Sequence, residues 1–344
     1  MNAKCLSLLC VAALCLTCQS QALWATPYTF LSSIGNPTGV AINDSNDKLY
    51  VAHQGSFNAA ELFEMDKTTG ATTSFASLEQ RTVNSGTLLV RDVDFNSDGR
   101  SAVSIWVYGG DAADNGQFVQ VYDAAGTRTA SHAVSGRNGV AWGPGGATAK
   151  LFIAGEGGLY EVDSVTGAET THSLNYGYGR SIDFKPDGKA LIGGIAKVRE
   201  FDPNTGVTSM FINGRDANAL PTNWYAPNLG GGGSTLTDIA VLDDRILIAG
   251  QTPDTIHSFL LNGNAPIIET FGNVFPYDNT MKKMDTDAAG FVYLSNNVGD
   301  GTTGAGIYKF DPSLAVPEPS SMVLCMLGLV FGSGIGFCRK RLWS

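Results

Sequence analysis

Between Cys18 and Cys325 the chain contains no cysteine; all six cysteines stand at positions 5, 10, 15, 18, 325 and 338. The long middle portion therefore has no disulfide, no thiol nucleophile and no cysteine-built zinc site. About 300 residues bury enough apolar surface to be stable without such staples. Histidine is almost as scarce. His53, His132, His172 and His257 have no short metal-binding spacing, and neither a Gly-x-Ser-x-Gly elbow nor a phosphate loop occurs. Basic residues are outnumbered 22 to 32, and Lys4, Arg339, Lys340 and Arg341 among them lie at the two ends. The middle is thus more acidic than the net −10 of the whole chain, which excludes nucleic acid as a partner and favours solubility. Sustained 3.6-residue periodicity is missing too. The abundance of Gly, Thr, Val, Asp and aromatic residues reads as all-β.

What is present begins at the ends. Lys4 is followed by an almost unbroken apolar run from Cys5 to Leu16, the basic-then-apolar order of a secretory signal peptide. Small residues at Ser20, Ala22 and Ala25 offer cleavage sites, so residues 1–25 are read as the signal peptide. Lipidation at Cys15 or Cys18 is the alternative, but the small residue expected just before the modified cysteine is lacking. At the other end, Met322 to Cys338 carries no charge and Arg339-Lys340-Arg341 follows at once. Such a run spans roughly 25 Å as a helix, the short end of what crosses a bilayer. The basic stop should stay cytoplasmic, leaving the middle outside, in agreement with the signal peptide. A transmembrane helix over 322–338 is expected.

Just before that run stand Val316-Pro317-Glu318-Pro319-Ser320-Ser321. The order of Pro-Glu-Pro, hydrophobic helix and basic end resembles the PEP-CTERM sorting signal over about the last 30 residues. The resemblance implies recognition and cleavage by an exosortase, in Gram-negative bacteria that make exopolysaccharide and biofilm. Two prolines keep this stretch extended and outside the helix, so its backbone is presented next to the membrane. Residues 316–344 are read as this signal. It says nothing of what the preceding domain does.

Residues 26–315 repeat a unit of four strands. Six first strands align on Val40, Val93, Val140, Ile182, Ile239 and Met284, at intervals of roughly 42 to 57 residues, about the length of a propeller blade. Second strands follow near 48–52, 102–108, 150–154, 190–193, 245–249 and 291–295. Third strands end in an aromatic or apolar residue and Asp, as in Tyr122-Asp123 and Phe310-Asp311. The sixth unit stops at Asp311 without a fourth strand, while residues 28–32 precede the first unit as an unpaired strand. The fold expected is therefore all-β, a six-bladed β-propeller closed by its N-terminal strand, plus the C-terminal helix. Motifs such as Asn138-Gly139-Val140-Ala141-Trp142 and Phe184-Lys185-Pro186-Asp187-Gly188 resemble those of NHL-repeat and gluconolactonase-like propellers. One segment, 213–235, with Trp224, Tyr225 and Gly230 to Gly233, interrupts the repeat and reads as a binding loop or a connector.

Propeller ligands sit at the mouth of the central channel. Two residues before each aligned position stand Thr38, Arg91, Asn138, Arg180, Thr237 and Lys282, a polar, net cationic ring suited to an anion or sugar acid. The gluconolactonase resemblance implies a different use, a channel-bound divalent cation that activates water. Asn138 fits the Asn of that pattern, but Thr237 stands where an Asp is needed and no Glu lies near Pro37-Thr38, so this metal-dependent lactonase, or another channel-site hydrolase, is the alternative rather than the main reading. No catalytic residue, metal or cofactor is assigned. Asp94, Asn96 and Asp98 begin a calcium-loop pattern, yet Ile105 occupies the twelfth position that needs Glu, and an ordinary turn explains them. Trp106, Trp142 and Phe184 are read as core between blades. The expected role is a binding or structural module exported to the cell surface or exopolysaccharide matrix. Its expected partners are the exosortase, the membrane before processing, and exopolysaccharide or another surface protein.

Overall fold

The computed structural model describes residues 28–311 except 55–59, 79–86, 109–114, 137, 146–149, 175–178, 195–196, 214–235, 243–244, 252–253, 262–268, 272–280 and 297–304. The N-terminal strand β1 (Tyr28–Ser32) is followed by the first blade, β2 (Pro37–Asn43), β3 (Lys48–His53), β4 (Glu61–Met65) and β5 (Thr72–Ser77). Blade two is β6 (Thr87–Phe95), β7 (Ser101–Tyr108), β8 (Gly116–Tyr122) and β9 (Arg128–Ala133). Blade three is β10 (Val140–Trp142), β11 (Leu151–Gly155), β12 (Gly158–Val162) and β13 (Glu169–His172). Blade four is β14 (Gly179–Phe184), β15 (Ala190–Gly194), β16 (Lys197–Asp202) and β17 (Val207–Asn213). Blade five is β18 (Leu236–Val241), β19 (Arg245–Gln251), β20 (Asp254–Leu260) and β21 (Glu269–Phe271). Blade six has only β22 (Met281–Thr286), β23 (Val292–Asn296) and β24 (Gly306–Phe310) from its own stretch of sequence. Its fourth strand is β1, antiparallel to β24 with Tyr28 opposite Phe310 and Phe30 opposite Tyr308. The expected closure is thus the observed one.

Each blade must bury two faces, which is why its central strands are apolar on both sides rather than alternating. Six separate apolar clusters fill the six gaps between neighbouring blades. The largest joins blades one and two through Tyr50, Leu62, Ile105 and Phe118. The cluster between blades six and one holds Val51, Met65, Tyr293 and Ile307, so ring closure rests on packing as well as on the β1–β24 ladder. Trp142 and Phe184 do pack between blades. Trp106 does not, as described below.

The blades meander from the axis outward, so the ring has two unlike rims. One is made of tight turns closed by backbone bonds, such as Gly70 N–H to Asp66 O at 2.9 Å and Gly99 N–H to Asn96 O at 2.9 Å. Gly70 is required there, since its φ is +70° and a Cβ would lie 2.0 Å from the Leu31 carbonyl oxygen of the N-terminal segment. The other rim is where the innermost strands begin. Most of the long connections, including 79–86, 214–235, 272–280 and 297–304, join strand ends on it. The insertion 213–235 and the helix expected over 322–338 lie outside the described residues, apart from the backbone of Asn213. Among the described residues no helix is long and apolar enough to cross a membrane.

Candidate functional site at the channel mouth

An innermost strand is a sheet edge, and half of its N–H groups point at the axis with no ladder partner. Three aspartates, each one residue after an aligned apolar position and on alternate blades, meet this demand. Asp94 accepts the N–H of Phe95 on its own blade at 2.7 Å and of Trp142 on the next at 2.6 Å. Asp183 accepts Phe184 N–H at 2.7 Å and Val241 N–H at 2.7 Å. Asp285 accepts Thr286 N–H at 2.7 Å and, across the closure, Ile42 N–H at 2.6 Å. Three carboxylates thereby serve the same inner-edge N–H on all six blades. Blades one, three and five have Ala41, Ala141 and Ala240 at the equivalent position.

One layer nearer the mouth, Lys283 Nζ lies 2.8 Å from Asp92 and 3.2 Å from Asp238. All three are buried. Asp92 also accepts Val140 N–H at 3.0 Å, and Asp238 accepts Met284 N–H at 2.6 Å. This triad ties blades six, two, three and five together around the axis. Between the layers the channel is a cavity of about 40 Å³ lined by Asp92, Asp94, Asp183, Asp238 and Asp285 among others. That holds two or three waters and no sugar ring.

Low-dielectric surroundings and mutual repulsion push these acids upward. Burial raises Asp94 to about 7, against the pull of the Trp142 and Phe95 N–H groups. Burial raises Asp183 to about 8, with Asp94 adding to it, and lifts Asp285 well above the usual carboxylate range, with Asp183 adding. Asp238 rises to about 7 through burial, opposed by Lys283. Burial works against the Lys283 ammonium, but Asp238 and Asp92 outweigh it and hold its proton more tightly than usual. Acids raised in the folded state bind protons that the unfolded chain has already released, so stability falls as pH rises from about 4 through about 7 to 8. Between pH 6 and pH 8 the Asp183 titration alone corresponds to about 2 kcal/mol, so the protein should lose at least about that much, a fall of several degrees in Tm that thermal melts across this range will register. A Tm that climbs over the same interval would refute the titration of the channel.

The sequence-derived ring occupies a distinctive place. Register shifts fall at Pro37/Gly39, Val90/Asp92, Gly179/Ser181, Leu236/Asp238 and Met281/Lys283, so Thr38, Arg91, Arg180, Thr237 and Lys282 are the extra residues of five β-bulges at the mouth. Bulges of this kind re-aim a side chain at a barrel rim. Asn138 stands just before β10, and its Nδ2 donates to Gly179 O of the next blade at 2.8 Å; that amide joins blades. Thr38 Oγ1 donates to Ala52 O at 3.4 Å. The side chains of Thr237 and Lys282 lie outside the described residues. Asp94, Asn96 and Asp98, the residues with calcium-loop spacing, are found in three separate settings. The Asp94 carboxylate is used at the inner edge, Asn96 Oδ1 accepts Asp98 and Arg100 N–H at 3.0 and 2.9 Å to close a turn, and Asp98 is exposed. Among the described residues no three His, Cys, Asp or Glu side chains are placed to hold a metal ion.

Blade two stands above its neighbours at the mouth, because β6 begins six residues before its aligned position where β2, β14, β18 and β22 begin three before theirs. On its face toward blade three, Trp106 and Tyr108 stack with ring centroids 4.8 Å apart, and the Arg91 guanidinium lies 5.1 Å over the Trp106 ring. Tyr108 is 41% exposed. Blade three ends low beside this ladder, in the two-residue turn between Gly155 and Gly158. The expectation that Trp106 belongs to the core is met only in part: it is half-buried and belongs to none of the six inter-blade clusters.

No curated protein matches the chain in sequence. In structure it is similar to the PQQ-bound aldose sugar dehydrogenase of Streptomyces coelicolor, at 16% identity and a TM-score of 0.50 over 82% of this chain and 96% of that one. It is also similar to a Thermus thermophilus protein described as a glucose dehydrogenase, at 12% identity and a TM-score of 0.55 over 83% and 99%. At such identities the likeness is one of fold. Residues 315–341 match the PEP-CTERM protein-sorting motif, which implies export, a membrane-anchoring region near the C-terminal end and an exosortase as processing partner. The chain is thus a six-bladed β-propeller carrying a PEP-CTERM sorting motif.

Proposed function

We propose that the propeller is a binding module of the cell surface or extracellular matrix that holds acidic polysaccharide on its mouth rim. The observation that carries this reading is the cluster of Tyr108, Trp106 and Arg91, aromatic rings next to a cation, on the blade whose innermost strand begins farthest toward the mouth. Aromatic rings stack on the apolar faces of sugars, and a guanidinium pairs with carboxylates. The bulge positions add Arg180 and Lys282 and no carboxylate, a local reversal of the chain's acidic balance.

Affinity electrophoresis of residues 26–315 through gels containing polygalacturonate tests it. The protein should be retarded there and not in dextran. Tyr108→Ala should weaken retention about tenfold, roughly 1.4 kcal/mol, with an unchanged melting curve, since Tyr108 is 41% exposed; Trp106→Phe, which keeps a ring beside Arg91, should weaken it less. Equal mobility in both gels would remove the reading. Metal-dependent opening of lactones by the same sample would instead favour the hydrolase alternative. The engagement of the channel carboxylates by backbone N–H groups and Lys283 gives that alternative no support.

A further inference from the structure

We propose that in the anchored precursor the rim of tight turns faces the bilayer and the sorting enzyme, while the channel mouth faces away from the membrane. This rests on the sorting motif and on where the chain leaves the propeller, not on the polysaccharide reading. β24 runs from the mouth rim to the turn rim and ends there at Phe310, directly paired with Tyr28 at the start of β1. Both chain ends therefore leave from the turn rim. From Phe310 to Pro317 the chain can reach at most about 25 Å, and to Met322 about 40 Å. Any enzyme that cuts near Pro317-Glu318-Pro319 must work beneath that rim. Inverting the propeller would make the same residues climb the height of blade six, about 20 Å, before reaching the bilayer, using about half of their reach at the expense of their conformational freedom. Exposed Asp47, Asp66, Asp98 and Asp163 on the turn rim are interspersed with Lys48, Lys67, Lys150 and Lys189, a mixed charge that neither draws the rim to anionic headgroups nor holds it away. The tether, not attraction, sets the orientation.

The cysteine-free body permits a direct test. In the leader-free chain, residues 26–344, with Cys325→Ser and Cys338→Ser, which leaves no native cysteine, single cysteines replace residues at opposite ends of one blade. Val165→Cys, 76% exposed in the wild type, and Glu156→Cys mark the turn and mouth ends of blade three, separated by β12, which rises about 17 Å. Ala71→Cys and Ser77→Cys do the same on blade one, so that tilt is distinguished from inversion. Each variant is labelled with a fluorophore and reconstituted in zwitterionic vesicles containing nitroxide-headgroup lipid, after its Tm is matched to the parent. Quenching at Val165→Cys and Ala71→Cys should exceed that at their mouth-end partners at least twofold. Equal quenching within both pairs, stronger quenching at the mouth ends, or none at any site overturns the orientation.

Discussion

Replacing Lys283 by Met should cost about 3–5 kcal/mol at pH 8, the penalty for leaving buried carboxylates without their counter-charge. Lys283 reaches two of them, Asp92 on blade two and Asp238 on blade five, so the variant places two acids at the centre of the ring with only backbone N–H groups to offset them. The signature that separates charge from packing is its pH dependence. Burial already lifts Asp238 to about 7 and raises Asp92. Without the lysine both acids take up protons more readily, and the variant should regain most of its loss near pH 5.5. Urea unfolding at the two pH values measures this. An equal deficit at both would mean that the lysine stem, not its charge, holds the blades.

Asp285→Ala should be nearly as damaging, at about 2–5 kcal/mol, because it orphans two inner-edge donors at once. One is Thr286 N–H on blade six; the other is Ile42 N–H on blade one, a contact across the closure of the ring. Asp285→Asn keeps one acceptor and should lose roughly half as much. It should also flatten the decline of stability between pH 6 and 8, since one of the raised acids is gone. If Asp285→Ala costs less than about 1 kcal/mol in denaturant titrations, channel water satisfies those N–H groups and the clamp is dispensable.

Much of this was visible in the amino-acid order. The six aligned strands are the six innermost strands, and the missing fourth strand of the last unit is Tyr28–Ser32. Counting back two residues from each aligned position reached the mouth, though not the reason, which is the bulge in five of the six strands. The alternation of Asp94, Asp183 and Asp285 with Ala41, Ala141 and Ala240 was also open to view. Its meaning was hidden because each acid's second donor lies on the following blade, 48 or 58 residues away, or 243 at the closure. Asp94 instead drew notice for a calcium-like spacing that its neighbours use for a turn.

The sequence alone determined the address and the building unit: a basic-apolar leader, a proline-bracketed glutamate before an apolar run and cationic stop, a cysteine-free acidic middle, and six strand repeats. Those are local patterns, set by side-chain chemistry along the chain. Which acids meet at the axis, that Trp106 lies outside the inter-blade clusters, and that both ends leave from the turn rim were decided only by the tertiary structure. Each depends on how blades stack and stagger about a common axis, a relation between residues distant in sequence that no local propensity carries.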